Sequence, residues 1–200
     1  MNEKTAQTKS EMKAQRIKAY FVNAAKEIIV SEGVQHVSVR RIAQGSEYSY
    51  GTIYNYFDDL DALLAQAKGA IIADIVAHMG NDVQDEPYGV EDIKAVSRQF
   101  VDFFIDNRNI YDFLYNHHLE TNAPSMFDGL DIGETGYSMY DGLVDAGIIR
   151  REDVPAVAKA MIYGYYGLLS LYFSSNGVTK EKVHEDLDQM TDYILSPRRA

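Results

Sequence analysis

The stretch 38–57, SVRRIAQGSEYSYGTIYNYF, constrains this chain more than any other. Ser38 precedes a short amphipathic segment, 39–44, and Ser49 precedes a second, 50–57. At both places a side-chain oxygen is available to the free N–H groups of a first helical turn. A polar turn lies between the two segments. Two short helices joined by a tight turn make a helix-turn-helix, whose second helix is shaped to enter a DNA major groove. Ile42 and Ala43 of the first helix should face inward, with Ile53 and Phe57 of the second closing a small three-helix core.

The remaining residues of the stretch are the candidate DNA contacts: Ser38, Arg40, Arg41, Ser49, Tyr50, Gly51, Thr52, Tyr54, Asn55 and Tyr56. Gly51 and Thr52 allow a close approach to the DNA backbone. Tyr and Thr hydroxyls donate to phosphates, and Asn pairs with adenine in bidentate fashion. Arg40 and Arg41 are candidate phosphate contacts. Packing in the core is the other use open to Tyr54 and Tyr56. No Lys or Arg lies between Arg41 and Lys68, so guanine readout by this helix is poor.

The pattern 38–43, then Ser49-Tyr50-Gly51-Thr52-Ile53-Tyr54-Asn55-Tyr56-Phe57, then Leu63-Leu64, resembles the DNA-binding domain of TetR-type transcriptional regulators. The resemblance extends back through Ile17, Ala24, Ala25, Ile28 and Gly33, so it covers roughly the first third of the chain. It implies a repressor that binds a palindromic operator as a homodimer and is released by a small-molecule effector. It also implies that a shift of the fourth helix carries ligand binding to the recognition helices, and that the last two helices build a four-helix dimer interface. Two positions depart from the family pattern. Ser46-Glu47 stands where the turn usually has Ala-Gly, and Leu60 stands where a Lys commonly meets a phosphate. Both bear on affinity for DNA. The alternative is a helical dimer that binds a small molecule or protein partner and has a weakly DNA-binding head.

Net charge tests the first reading. The chain carries −11, which argues against a nucleic-acid partner. Residues 1–57, however, hold eight basic and five acidic side chains, so the acidic excess lies entirely in the rest of the chain. A basic head on an acidic body presents one face to phosphate.

Apolar spacing of three and four predicts helices throughout, so the fold class is all-α. The expected spans are 13–31, 39–44, 50–57, 60–79, 90–107, 109–121, 124–146, 154–175 and 180–195. Residues 1–59 form the expected DNA-binding head, with 1–12 a flexible arm, and 60–200 the effector-binding and dimerisation body. The body is rich in tyrosine, and buried phenols need partners of the kind a ligand pocket supplies. Phe104, Tyr111, Tyr115, Tyr137, Tyr140 and Tyr166 are the candidate ligand-binding residues. Ala160, Gly164, Gly167 and Leu171, with Val183, Leu187, Met190 and Ile194, are the candidate dimer interface; packing within the chain is the other use open to these stripes.

Other classes find little support. There is no cysteine, which excludes disulfides and thiolate metal sites. The adjacent His117 and His118 on one helix point about 100° apart and do not readily share an ion. No nucleophile elbow, phosphate loop or HExxH helix is present, so no catalytic residue, metal or cofactor is assigned. The first residues have no apolar core or cleavage site, and the longest apolar run, 161–173, is too short to span a bilayer. The expected location is the cytoplasm.

Overall fold

The computed structural model describes residues 3–44, 48–80, 88–120, 137–174 and 177–196. Among these residues every regular element is a helix, as the sequence spacing requires. The chain forms two compact units. One comprises Met1–His78 with Arg108–Met126, and the other Met79–Asn107 with Phe127–Ala200.

In the first unit, α1 spans Glu3–Glu32. It begins well before the expected start at residue 13, so the segment read as an arm is helical from Glu3. Its residues, rich in Glu, Lys, Gln and Ala, favour a helix and include no breaker. Ile17, Phe21, Ala25 and Ile29 are buried along one face. Gly33 stops the helix at φ 97°, and its N–H donates to the carbonyls of Ile28 and Ile29.

After a 3-10 turn at Val34–His36, α2 spans Val39–Gln44 and α3 Tyr50–Ile53. α4 then spans Leu60–Gly80. Asp59 starts it by accepting from the Ala62 N–H at 2.7 Å. Leu63, Leu64, Ala67, Ile71 and Ile75 form its buried stripe.

α6, Arg108–Tyr111, continues as a π-helical turn over Asp112–Asn116 and ends in extended backbone at His117. The expected helix 109–121 is therefore cut short. Ile110, Tyr111, Phe113 and Leu114 are all buried, a denser apolar run than the single stripe of an α-helix provides. Asn109 Nδ2 donates to the Val30 carbonyl at 3.1 Å, and the Glu120 N–H donates to Asp61 at 3.0 Å. These bonds tie the segment to α1 and to the start of α4. Lys26 and Asp74 join α1 to α4 at 2.5 Å.

The second unit contains α5 at Val90–Asp106, α7 at Asp141–Asp145, α8 at Val154–Ser174 and α9 at Lys180–Ile194. Asp92 reaches back to the Gly89 N–H at 2.8 Å, and Thr179 Oγ1 accepts from the Lys182 N–H. The predicted helix 124–146 is represented by a 3-10 turn at Ser138–Tyr140 followed by α7; residues 124–136 of that prediction lie outside the described residues. Gly147, at φ 68°, stops α7. Ile93, Val101, Phe104, Met161, Leu169, Val183 and Leu187 are buried within this unit.

Candidate nucleic-acid interface

Ser38 stands just before α2, and its Oγ accepts from the Arg41 N–H at 3.3 Å. Ile42 and Ala43 are buried, as are Ile53 and Phe57, so the small core closes as expected. Lys18 sits over the Phe57 ring, 5.7 Å from its centroid.

Ser49 occupies the N-cap of α3 in extended backbone, but it makes no side-chain cap. Its Oγ pairs with Thr52 Oγ1 at 3.0 Å instead. The recognition helix is also shorter than the expected 50–57. After one α-turn it tightens: Asn55 N–H donates to Thr52 O and Tyr56 N–H to Ile53 O, bonds spanning three residues. Thr, Ile, Asn and Tyr are weak helix formers, and nothing in 50–57 compensates for them. The turn residues Ser46 and Glu47, where the sequence departs from the family pattern, lie outside the described residues; Leu60 is half-buried at the start of α4.

This geometry sorts the candidate contacts. Tyr50 and Tyr54 are 64% and 54% exposed. Gly51 and Asn55 are exposed as well, and Thr52 is half-buried. Tyr56 instead turns its ring toward Phe21 of α1, with centroids 6.4 Å apart. Tyr48, which the sequence did not mark out, packs edge-on to Phe21 at 5.5 Å and to Tyr20 at 6.0 Å. These rings hold the helix-turn-helix against α1.

The two arginines differ. Arg41 forms a two-pronged ion pair with Glu32, at 2.6 and 2.8 Å, and donates to the His36 carbonyl at 3.4 Å. The Arg41 hydrogen bonds hold the Glu32 carboxyl below its ordinary range. Arg40 is exposed and pairs with no acidic side chain among the described residues. Ser38, Arg40, Arg41, Ala43, Gln44 and Tyr50 line a shallow open depression of about 460 Å³ across α2 and the start of α3.

The ligand-binding candidates divide between the units. Tyr111 is buried and Tyr115 half-buried in the first, their rings 5.1 Å apart. Phe104 and Tyr140 are buried in the second, where Tyr137 and Tyr166 are half-buried. Tyr165 and Ser97, absent from the predicted set, share a buried hydrogen bond of 2.6 Å.

The interface candidates also divide. Val183 and Leu187 are completely buried within their own chain and so are unavailable to a partner; their stripe packs α9 inward. A Cβ at Gly164 would collide with the Met190 side chain, so this glycine admits Met190 of the same chain. Ala160 and Leu171 are exposed, and a Cβ at Gly167 would meet open space. Tyr163 and Tyr193 are exposed too, at 61% and 84%. His117 is half-buried against the Phe113 ring, and burial lowers its pKa. No group of three or more potential His or carboxylate metal ligands occurs among the described residues.

The fold is thus an all-helical chain whose N-terminal part carries a helix-turn-helix with an exposed second helix. Residues 21–67 match the model of the bacterial regulatory proteins of the tetR family. A curated relative, the HTH-type nicotine-responsive transcriptional repressor HdnoR of Paenarthrobacter nicotinovorans, is 26% identical over 188 residues, covering 88% of this chain and 92% of that protein. Among solved structures, RolR in complex with resorcinol superimposes with a TM-score of 0.65 at 19% identity, over 92% of this chain and 88% of RolR. Thermus thermophilus FadR in complex with lauroyl-CoA gives 0.67 at 16% identity, over 92% and 95%. Residues 21–67 thus resemble the DNA-binding region of the tetR family, and the chain shares its fold with solved TetR-family regulators.

Proposed function

We propose that this protein is a ligand-responsive repressor that binds a palindromic operator as a homodimer and leaves it when a small molecule binds the body. The observation that carries the reading is the recognition turn, where Ile53 and Phe57 are anchored in the core while Tyr50, Tyr54 and Asn55 face solvent. That arrangement offers two hydroxyls to phosphates and one amide to a base edge. Arg40 supplies the phosphate contact on α2. The nicotine-responsive relative supports control by a small organic effector.

Two-fold symmetry follows from the way such a head reads DNA. Each head spans one half-site, and a dimer places two recognition helices one helical turn apart. The exposed side of α8, with Ala160, Tyr163, Gly167 and Leu171, is the surface we assign to the partner, joined by Tyr193 of α9. Effector binding favours the state whose heads do not match adjacent grooves, by as much as its affinity differs between the two states. α4 starts directly after the recognition turn and is the element we assign to transmit that change. The test is an anisotropy titration of purified protein into duplexes recovered by selection. It should give two chains per duplex and release on adding the effector; one chain per duplex would rule out the dimer.

A further inference from the structure

Most of the buried hydroxyls described for the second unit have identifiable partners. Thr191 Oγ1 donates to the Leu187 carbonyl at 2.8 Å. Ser97 Oγ donates to the Ile93 carbonyl at 2.6 Å and also lies 2.6 Å from the Tyr165 hydroxyl. Serine has one hydroxyl hydrogen, so the Tyr165 phenol is the donor in that second contact, and its own lone pairs remain unused. Tyr140 differs from all of these. It is only 4% exposed, and its hydroxyl makes no hydrogen bond with any described residue. A buried hydroxyl without a partner costs stability, and such groups commonly await a bound molecule.

The surroundings narrow what that molecule is. Burial pushes the Tyr140 phenol up to about 12, and burial followed by the nearby Tyr140 pushes Tyr165 higher still. Both are neutral donors at physiological pH, and a charge on Tyr140 would be felt at Tyr165. The Phe100 ring stands 5.4 Å from the Tyr165 ring and 5.0 Å from that of Phe104, so Tyr165 has aromatic neighbours. No charged side chain described in this unit is buried. The charges of α5 and α9 are paired with each other at the surface, Lys94 with Asp192, Arg98 with Asp188, and Lys180 and His184 with Asp102. A charged ligand would lose its water here and gain no counter-charge.

We propose that the Tyr140 and Tyr165 hydroxyls form the polar end of the effector site, and that the effector is a small neutral molecule bearing a hydroxyl on an apolar frame. A hydroxyl both donates and accepts, so it can take the Tyr140 hydrogen and fill the Tyr165 lone pairs. This inference rests on the ligand-responsive reading above.

The test uses the full chain and three probes of similar size: phenol, toluene and benzoate, titrated by ligand-observed NMR. Phenol should bind saturably, with toluene and benzoate weaker by about tenfold or more. Tyr140→Phe should lose about tenfold in phenol affinity, yet without ligand it should melt no lower than the parent, because the orphan hydroxyl is gone. Benzoate binding as tightly as phenol, or no saturable phenol binding, would overturn the proposal. So would a Tyr140→Phe protein that melts lower and binds phenol unchanged, which would make the hydroxyl structural. A compound that releases DNA equally from the parent and from Tyr140→Phe would overturn this site and leave the regulator reading intact. Failure to bind any DNA would count against the regulator reading alone.

Discussion

Arg41 and Glu32 grip each other with two hydrogen bonds, at 2.6 and 2.8 Å, across the 3-10 turn that joins α1 to α2. A planar guanidinium meeting a carboxylate in this way fixes angle as well as distance. The pair links the end of α1 to α2, and Arg41 is already engaged before DNA arrives. Arg40, its neighbour, is not paired with a described acid. Arg40→Ala is predicted to weaken binding to all sequences alike and to lower the slope of log K against log salt by about 1. Arg41→Ala and Glu32→Gln should both weaken binding, and Glu32→Gln should leave that slope unchanged. Anisotropy titrations at several salt concentrations separate these outcomes.

The same pair predicts a pH dependence. The Glu32 carboxyl is held below its ordinary range by the Arg41 hydrogen bonds. Its contribution is present above the unfolded-state pKa and is lost as pH falls through the lower folded value. The melting-temperature difference between the parent and Glu32→Gln should therefore shrink below the usual carboxylate range. A difference that stays constant down to pH 3 would show that charge is not its origin.

Gly33 ends α1 at φ 97° and ψ 156°, a region open essentially to glycine alone. A Cβ there would meet the Gln35 amide at 2.5 and 2.6 Å. Gly33→Ala is predicted to cost about 1–3 kcal/mol in denaturant unfolding. Gly33→Asn should not rescue it, because asparagine favours the left-handed helical region at a different ψ.

The tyrosines of the recognition turn should separate by role. Tyr54→Ala is predicted to weaken DNA binding without lowering the melting temperature, since the side chain is 54% exposed. Tyr56→Ala should lower both, because its ring packs toward Phe21. Asn55→Ala should relax base preference at one position per half-site, by about 1–3 kcal/mol if the amide reads adenine. Competition assays against single-base operator variants check this.

On the body, two substitutions on one helix should behave differently. Leu171 is 55% exposed on α8, and Leu171→Asp is predicted to weaken self-association by about tenfold or more, read by sedimentation equilibrium. Gly164→Leu would collide with Met190 inside the chain, so it should cost about 1–3 kcal/mol of stability. If Leu171→Asp leaves association unchanged, α8 does not face the partner.

What the sequence made legible depended on how local the cause was. α2, α4, α5, α8 and α9 were readable nearly to the residue because each has an apolar stripe with caps or breakers at its ends. Asp59, Asp92 and Thr179 do locally what their residue types predict. α3 was not readable to its end, because Ile53 and Phe57 fit an α-turn and a tightened turn equally well. The π turn after Tyr111 answers to tertiary burial, which spacing cannot show. At the site, the spacing left Tyr54 and Tyr56 open between contact and core, and only the fold separated them, Tyr54 exposed and Tyr56 turned toward Phe21. The capture of Arg41 by Glu32 was not legible either, because the pair forms only once the turn at 34–36 has folded back. The sequence left Val183 and Leu187 open between a partner and their own chain for a similar reason: an apolar stripe records burial but not the chain that supplies it.

We propose that this head reads DNA, and that it does so in pairs. This is tested most directly by selecting bound duplexes from a random DNA pool with the purified protein at moderate salt. The expected result is recovery of a palindrome whose half-sites lie about one helical turn apart, and loss of that enrichment in Tyr54→Ala. Recovery of no enriched sequence by a folded, dimeric protein would contradict it.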